Sequence, residues 1–225
     1  MIETNLYEAM RTQRAIRRLR PDPIPDDVLH RIFEAATYAP TGGNRQVWRM
    51  IAVWDTSTKQ QLGRLYAKHW LPYAENFRKN NPDTSGDAAA AMERTLAAGD
   101  HLAANLGNVP VVVIVCFEAY GLAVTDVDQG RIPVVGGGSI YPAVQNLMLA
   151  ARAEGVGCVL TTLLCMSEPE VKKLLNIPED WATAAMVPLG YSVGVGYGPI
   201  SRKPVEDLFF QDSWGQPIDA AGEPQ

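Results

Sequence analysis

The chain of 225 residues is 47% hydrophobic, which is enough for one domain to bury a substantial core. Its formal net charge of −5 gives no overall positive field, so we expect neither nucleic acid nor a membrane surface as a partner. Residues 1–10 lack the apolar segment of a secretory signal, and no stretch approaches the roughly 18 apolar residues that span a bilayer. We therefore expect a cytoplasmic protein.

The first half of the chain is predicted to be mainly helical. Apolar residues recur at helical spacing in residues 6–14 and again in residues 26–38. Residues 47–54 alternate as in a strand. The polar, alanine-rich residues 56–106 indicate helices separated by a loop at residues 80–86.

The strongest strand and helix patterns lie in the second half. Residues 109–117 form a continuous β-branched run, which is typical of a strand buried on both faces at the centre of a sheet. A helix is predicted over residues 139–154, with Ser139 as its N-cap, Pro142 in its first turn and Gly155 at its end. Apolar residues surround most of this helix, so we expect the sheet and a second subunit to bury it.

The remaining segments complete a mixed order of elements. Strands are predicted at residues 158–162, 183–191 and 205–210, with a short helix at residues 168–175 and a tail at residues 212–225. Helices come first and mixed strands and helices follow, which favours an α+β fold over a regular alternation. No internal repeat is present, so we expect a single domain over residues 1–225.

The cysteines and histidines do not suggest a metal site or a disulfide framework. Cys116, Cys158 and Cys165 lie in or beside apolar runs, where free cysteine acts as a small core residue. The three histidines are far apart, with no H-E-x-x-H sequence. We expect no metal cofactor.

Arginines are concentrated between residues 11 and 20, directly before a proline-rich stretch. Guanidinium groups form bidentate, charge-assisted hydrogen bonds to phosphate, so this cluster is a candidate for holding a phosphorylated cofactor. A solvated basic face is the alternative interpretation. A nucleic-acid patch is disfavoured because the chain as a whole is acidic.

Residues 40–48, between a predicted helix and a predicted strand, are a second candidate segment. Two glycines there allow the backbone to approach a flat ligand, and Asn44 and Gln46 offer both donors and acceptors. An ordinary turn is the alternative. The glycine-rich residues 136–139 and 194–198 are interpreted as turns, since neither matches a P-loop or a dinucleotide-binding fingerprint.

Five segments, taken in order and spacing, resemble the nitroreductase family over nearly the whole chain, from residue 6 to residue 214. These segments are residues 14–19, 39–48, 139–152, 155–162 and 199–204. The resemblance implies an α+β sandwich with a mostly antiparallel sheet flanked by helices. It also implies bound FMN and a homodimer with a long buried helix at its interface.

The resemblance further implies which residues bind FMN. Arg14, Ala15 and Arg17 would contact the phosphate, ribityl chain and pyrimidine edge, and Arg202 would complete the phosphate clamp. The flavin ring would lie between two further sets of residues, one of them from the partner subunit. The partner would supply Thr41, Gly42, Asn44 and Gln46, while Leu160, Thr161 and Thr162 would line the other side near N5.

Two departures from the family pattern concern these contacts. Gln13 and Ala15 stand where many members have arginine and serine, and the loss removes about 1–3 kcal/mol of charge-assisted contacts unless another residue compensates. Val47 stands where members often have proline, which should change loop rigidity more than chemistry. We expect FMN binding to be the property most affected.

The implied activity is reduction of electron-poor acceptors, such as nitroaromatics or quinones, by NADPH or NADH through flavin N5 in a ping-pong cycle. No side-chain acid or base is expected, and Arg17 is the candidate for stabilising the reduced flavin. Residues 55–106 and 118–135 are expected to shape the acceptor pocket. The alternatives are another flavin reaction of the family (dehalogenation, ene reduction or dehydrogenation) and a flavin-binding protein without turnover.

Overall fold

The computed structural model describes residues 5–81 and 86–218. The order of its helices and strands is α1 (Leu6–Thr12), α2 (Asp26–Thr37), β1 (Trp48–Val53), α3 (Thr56–Asn80), α4 (Gly86–Asn105), β2 (Val111–Glu118), α5 (Tyr141–Ala153), β3 (Gly157–Cys158), α6 (Glu168–Leu175) and β4 (Trp181–Gly190). Short 3-10 turns join several of them.

The four strands form one antiparallel sheet in the order β1-β2-β4-β3. β2 lies inside the sheet, where Ile114 is paired with Ile51 of β1 and with Met186 of β4. Its β-branched residues suit a strand that is covered on both faces. The central strand predicted from the sequence is therefore confirmed.

Side chains of β2 alternate between two hydrophobic clusters. Val112, Ile114 and Cys116 pack in the cluster that contains α3 and α4, whereas Val113 and Val115 pack with α2 and α5. Full burial of each such side chain stabilises the fold by about 1.5–3 kcal/mol. The predicted α+β sandwich, with helices on both faces of the sheet, is confirmed.

Helix α5 has the predicted position and the predicted end, but its start differs. Pro142 lies in the first turn, and Gly155 adopts a left-handed φ of +74° just after the helix. Ser139 is not the N-cap, so that prediction was wrong: the cap residue is Ile140. Residues Val135–Ser139 form a 3-10 turn in which Ile140 N–H donates to Gly137 O, and this frees the Ser139 side chain for a distant partner.

Two predicted strands also differ. Of the strand predicted at residues 158–162, only Cys158 lies in a strand, the two-residue β3 (Gly157–Cys158). Thr161 forms a separate bridge with Met186 of β4. The strand predicted at residues 205–210 is wrong, because Val205–Asp207 is a 3-10 turn and, within the described residues, the stretch is exposed and pairs only through an isolated bridge of Phe210 with Pro217.

The loop predicted at residues 80–86 and the tail predicted at residues 212–225 lie partly outside the described residues. Across residues 5–81 and 86–218, no helix has both the length and the apolar content needed to cross a bilayer.

Candidate functional site

The arginine segment is fixed against the sheet by backbone hydrogen bonds. Ile16 N–H donates to Cys158 O and Arg20 N–H donates to Tyr191 O, each at 2.8 Å. Gly157 permits this approach, since a Cβ there would lie 3.0 Å from Ile16 Cγ2 and 2.9 Å from a backbone oxygen of β4. The intervening arginine side chains therefore project from a rigid backbone.

Several of these arginines have no acidic partner. Arg11 pairs with Glu8 at 2.8 Å, but Arg14, Arg17 and Arg18 have no carboxylate within ion-pair distance in the described part of the chain. In a chain of net charge −5, fixed guanidinium groups left without carboxylates are suited to an external anion.

The phenol of Tyr66 is influenced by both Arg17 and Thr161. Tyr66 is only 1% exposed. Burial raises the pKa of this phenol, while a hydrogen bond with Thr161 and the positive charge of Arg17 act in the opposite direction. Thr161 is itself fixed by two backbone hydrogen bonds with Met186, of 3.0 and 2.8 Å. The charge of Arg17 and the side chain of Thr161, far apart in sequence, thus both act on one buried phenol.

Leu160 and Thr162, which flank Thr161, extend the surface beside it. Leu160 is half-buried against the cluster on the α2 and α5 side of the sheet. Thr162 is exposed, and its carbonyl accepts from Cys165 N–H at 3.0 Å, which starts the 3-10 turn Leu163–Ser167. The three residues therefore form one continuous surface that runs from the core to solvent.

Residues 41–46 form a compact exposed loop with unusual backbone geometry. Gly43, Asn44 and Gln46 have φ values of +59°, +54° and +50°. The left-handed region costs a non-glycine residue about 1–2 kcal/mol, so other contacts must hold this conformation. Thr41 Oγ1 accepts from Gln46 N–H at 3.0 Å, and Gln46 Nε2 donates to Asn44 Oδ1 at 3.2 Å.

Ser139 supplies the tertiary contact of this loop, because its Oγ accepts from Gly42 N–H at 3.0 Å. Loop residues Thr41, Gly42, Asn44 and Gln46 are thus brought together. Within the described residues, no hydrogen bond or ion pair joins them to Arg17 or Thr161 of the same chain.

Arg202 lies close to the start of the arginine segment. It is exposed and lines a cleft of about 640 Å³ together with Arg11, Gln13 and Gln145. Its guanidinium donates to the adjacent Ser201 O at 2.7 Å. Because Gln13 directly precedes Arg14, the structure brings Arg202 and the arginine segment to one region of the surface.

Three residues important for this geometry were not identified in these roles from the sequence: Ser139, Tyr66 and Tyr197. Tyr197 donates to Val156 O, and its ring lies 4.7 Å from Arg152 Cζ, so it anchors the chain that leads to Arg202. The available signal was a tyrosine within residues 194–198, because a buried Tyr O–H usually finds a hydrogen-bond partner. Nothing in the sequence marked Tyr66 as different from other core aromatics.

The buried cysteines are not nucleophiles. Burial raises the pKa of Cys116 to about 12 and that of Cys158 to about 11, so both thiols are protonated at neutral pH. No group of three or more His, Cys, Asp or Glu residues is arranged to hold a metal ion within residues 5–81 and 86–218.

Comparison with known proteins places these features in a family. The family model described as the nitroreductase family matches residues 10–191. A 5,6-dimethylbenzimidazole synthase of Rhodobacter capsulatus is 28% identical over 186 residues, which cover 82% of each chain. An NADH dehydrogenase of Thermus thermophilus is 29% identical over 210 residues, which cover 86% of this chain and 89% of the relative.

Solved structures agree on the fold. The crystal structure of an oxidised iodotyrosine deiodinase bound to FMN and 3-iodo-L-tyrosine matches with a TM-score of 0.65 and 22% identity. The match covers 93% of this chain and 99% of the deiodinase chain. At this level of identity the likeness shows a shared fold.

Proposed function

The chain belongs to the nitroreductase family, and from that premise we propose that it is an FMN-dependent NAD(P)H oxidoreductase that reduces electron-poor acceptors such as nitroaromatics or quinones. The observation that carries the proposal is that Arg17 and Thr161 both act on the buried Tyr66 phenol, beside Arg14 and Arg18, which have no carboxylate partner among the described residues. Family membership alone does not choose the reaction, so the proposal depends on this site.

The residues present fit FMN. Arg14 and Arg202 would hold the phosphate, because both guanidinium groups are exposed and neither has a carboxylate partner within the described residues. The backbone at Ala15 and the side chain of Arg17 would contact the ribityl chain and the pyrimidine edge. Leu160, Thr161 and Thr162 would form the wall on one side of the ring.

Bound FMN would supply hydride acceptance and donation at its N5 atom. The protein contributes charge and exclusion of water. Arg17, whose backbone is fixed between the hydrogen bonds of Ile16 and Arg20, would place a positive charge where negative charge develops at the pyrimidine edge on reduction. Thr161, tied to β4 by two hydrogen bonds, would keep the wall beside N5 rigid. The nicotinamide and the acceptor would occupy the same open face in turn, which gives a ping-pong cycle.

We propose that the working form is a homodimer and that residues 1–225 form one domain in each subunit. The loop at residues 41–46 is rigid and exposed and makes no hydrogen bond or ion pair with the site of its own chain in the described part of the structure. Contact of Thr41, Gly42, Asn44 and Gln46 with the partner's flavin would explain that arrangement.

The C-terminal segment also supports a dimer. Leu208, Phe209 and Trp214 are 55%, 58% and 92% exposed, and Phe210 packs on Trp214 at a centroid distance of 5.1 Å. An exposed apolar segment of this size commonly marks a protein interface.

Gln13 and Ala15 remain the weak part of the proposed site. Gln13 Nε2 lies 3.9 Å from Met148 Sδ, so its side chain contacts α5 through a weak hydrogen bond. Ala15 is exposed and has no side-chain donor. We therefore expect FMN to dissociate more readily than from a site with arginine and serine at these positions.

Anaerobic titration of the purified protein tests the proposal. The protein should bind FMN, and its visible flavin absorbance should bleach with NADPH or NADH and recover when a nitroaromatic or a quinone is added. Bound FMN that neither donor bleaches would identify a binding protein without turnover. Recovery with 3-iodotyrosine or an activated alkene, but not with nitroaromatics or quinones, would identify another branch of the family.

The cytoplasmic location stays a prediction.

A further inference from the structure

A second cleft, of about 750 Å³, lies where the arginine segment passes the beginning of β2 and the first turn of α3. Its walls are mainly apolar and include Leu19, Ile24, Trp54 and Val193. None of the residues proposed to contact FMN lines it. The cleft is therefore a separate feature of the molecule.

Lys59 lines this cleft and is a buried cation. The residue is only 5% exposed, and its Nζ donates to Val109 O at 2.6 Å and to Pro110 O at 3.1 Å. An ammonium group has three donors, and no third acceptor lies within hydrogen-bond distance among residues 5–81 and 86–218. One N–H of a buried cation is thus left for something in the cleft.

The surroundings of Lys59 increase the need for a negative charge. Lys59 is the fourth residue of α3, where the helix dipole disfavours a cation. Burial lowers the pKa of its ammonium group. Buried charges in proteins are normally paired, because an unpaired one carries a large desolvation penalty.

The acidic residues nearby form no ion pair with Lys59 within residues 5–81 and 86–218. The charge of Asp55 favours the protonated form of Lys59, but the Asp55 carboxylate accepts from Thr58 N–H and Thr58 Oγ1, each at 2.7 Å. Asp26 lines the same cleft.

A second basic residue, Arg20, lines the cleft and pairs loosely with Asp22 at 3.4 Å. Lys59 itself has no ion-pair partner among the described residues.

We propose that this cleft binds a small apolar carboxylic acid. Its carboxylate would accept the remaining N–H of Lys59, and its hydrocarbon body would pack on Trp54, Ile24 and Val193. A monoanion suits the site because one buried donor and mainly apolar walls are available. A phosphate group would need several converging donors. Trp54 is 52% exposed, so an aromatic acid can stack on it without rearrangement of the core.

Calorimetric titration of the flavin-loaded protein with benzoate and 1-naphthoate tests the proposal, with benzamide as the neutral counterpart of benzoate. Both acids should bind, 1-naphthoate more tightly, and benzamide should bind at least about tenfold more weakly than benzoate. Lys59→Met keeps the apolar stem and should weaken benzoate binding about tenfold or more. Lys68→Met, which removes a surface lysine paired with Glu170, is the matched control and should leave binding unchanged.

Three outcomes would overturn the proposal: no binding of either acid, equal binding of benzoate and benzamide, or unchanged binding to Lys59→Met. If Lys59→Met does not fold, Trp54→Ala replaces a half-exposed side chain and should weaken 1-naphthoate more than benzoate. Equal loss for both acids would then count against the proposed orientation. Flavin bleaching by NADPH or NADH reports on the other site, so failure of one proposal is distinguishable from failure of the other.

Discussion

Replacement of Ser139 by alanine isolates the contact that holds the loop at residues 41–46. The change removes the acceptor of the 3.0 Å hydrogen bond from Gly42 N–H. Such a bond contributes about 0.5–1.5 kcal/mol, and the left-handed Asn44 and Gln46 each store about 1 kcal/mol or more that the loop contacts must offset. We therefore expect the loop to open more often by a factor of about five, with a loss of about 1 kcal/mol in the free energy of unfolding.

Amide hydrogen exchange measures the loop directly. Exchange at Gly42 should accelerate about fivefold in Ser139→Ala. Ser139→Thr keeps a hydroxyl acceptor and should restore the slower rate. FMN affinity, measured by quenching of flavin fluorescence, should fall severalfold if the loop reaches the partner's flavin. An unchanged Gly42 rate, combined with faster exchange at the start of α5, would show that Ser139 acts as a helix cap and not as the anchor of the loop.

Three further changes test the flavin site, the packing of α4 and one ion pair. Arg17→Gln should weaken FMN binding about tenfold or more and make the bound flavin harder to reduce. The neighbouring Arg18→Gln should have little effect. Fluorescence titration measures the FMN affinity, and redox titration measures the ease of reduction. Gly99→Ala places a Cβ into the Trp70 ring and should lower the free energy of unfolding in urea by about 1–3 kcal/mol, while Gly138→Ala, with open space around it, should not. Arg31 lowers the pKa of Glu154 from its ordinary value of 4.5, so this pair should stabilise the fold above that value and lose its effect as the pH falls through the lowered pKa. Urea unfolding of wild type and Glu154→Gln across that range should converge at low pH, and a constant difference would contradict the assignment.

Local patterns were sufficient to predict much of the fold. The β-branched run that forms β2 predicts a strand buried on both faces, because only such a strand buries every side chain of the run. Helix α5 was predictable for a similar reason, since Pro142 and Gly155 mark its ends.

The errors arose where a distant partner decides the local structure. Ser139 has the residue type of an N-cap, but its hydroxyl binds Gly42, which is remote in sequence. Residues 205–210 have strand-like composition, but a strand needs a neighbouring strand, and this chain offers none there within the described residues.

The candidate site was also predictable only where local sequence, and not a distant partner, decides the structure. Sequence motifs identified Arg17 and Thr161 separately through the family resemblance, but only the fold shows that both act on the buried Tyr66 phenol. Lys59 had no signal at all, because a lysine in a polar helix is normally solvated. Its burial depends on how α3 packs against the beginning of β2.

In the proposed function, Arg17 and Thr161 lie at a flavin site that accepts hydride from a nicotinamide. Anaerobic stopped-flow absorbance of the FMN-loaded protein mixed with NADPH or NADH measures this step. The wild-type flavin should bleach rapidly with at least one of the two donors, and bleaching should be much slower in Arg17→Gln at full FMN occupancy. A wild-type protein that binds no FMN, or whose bound FMN neither donor bleaches, would contradict the proposed function.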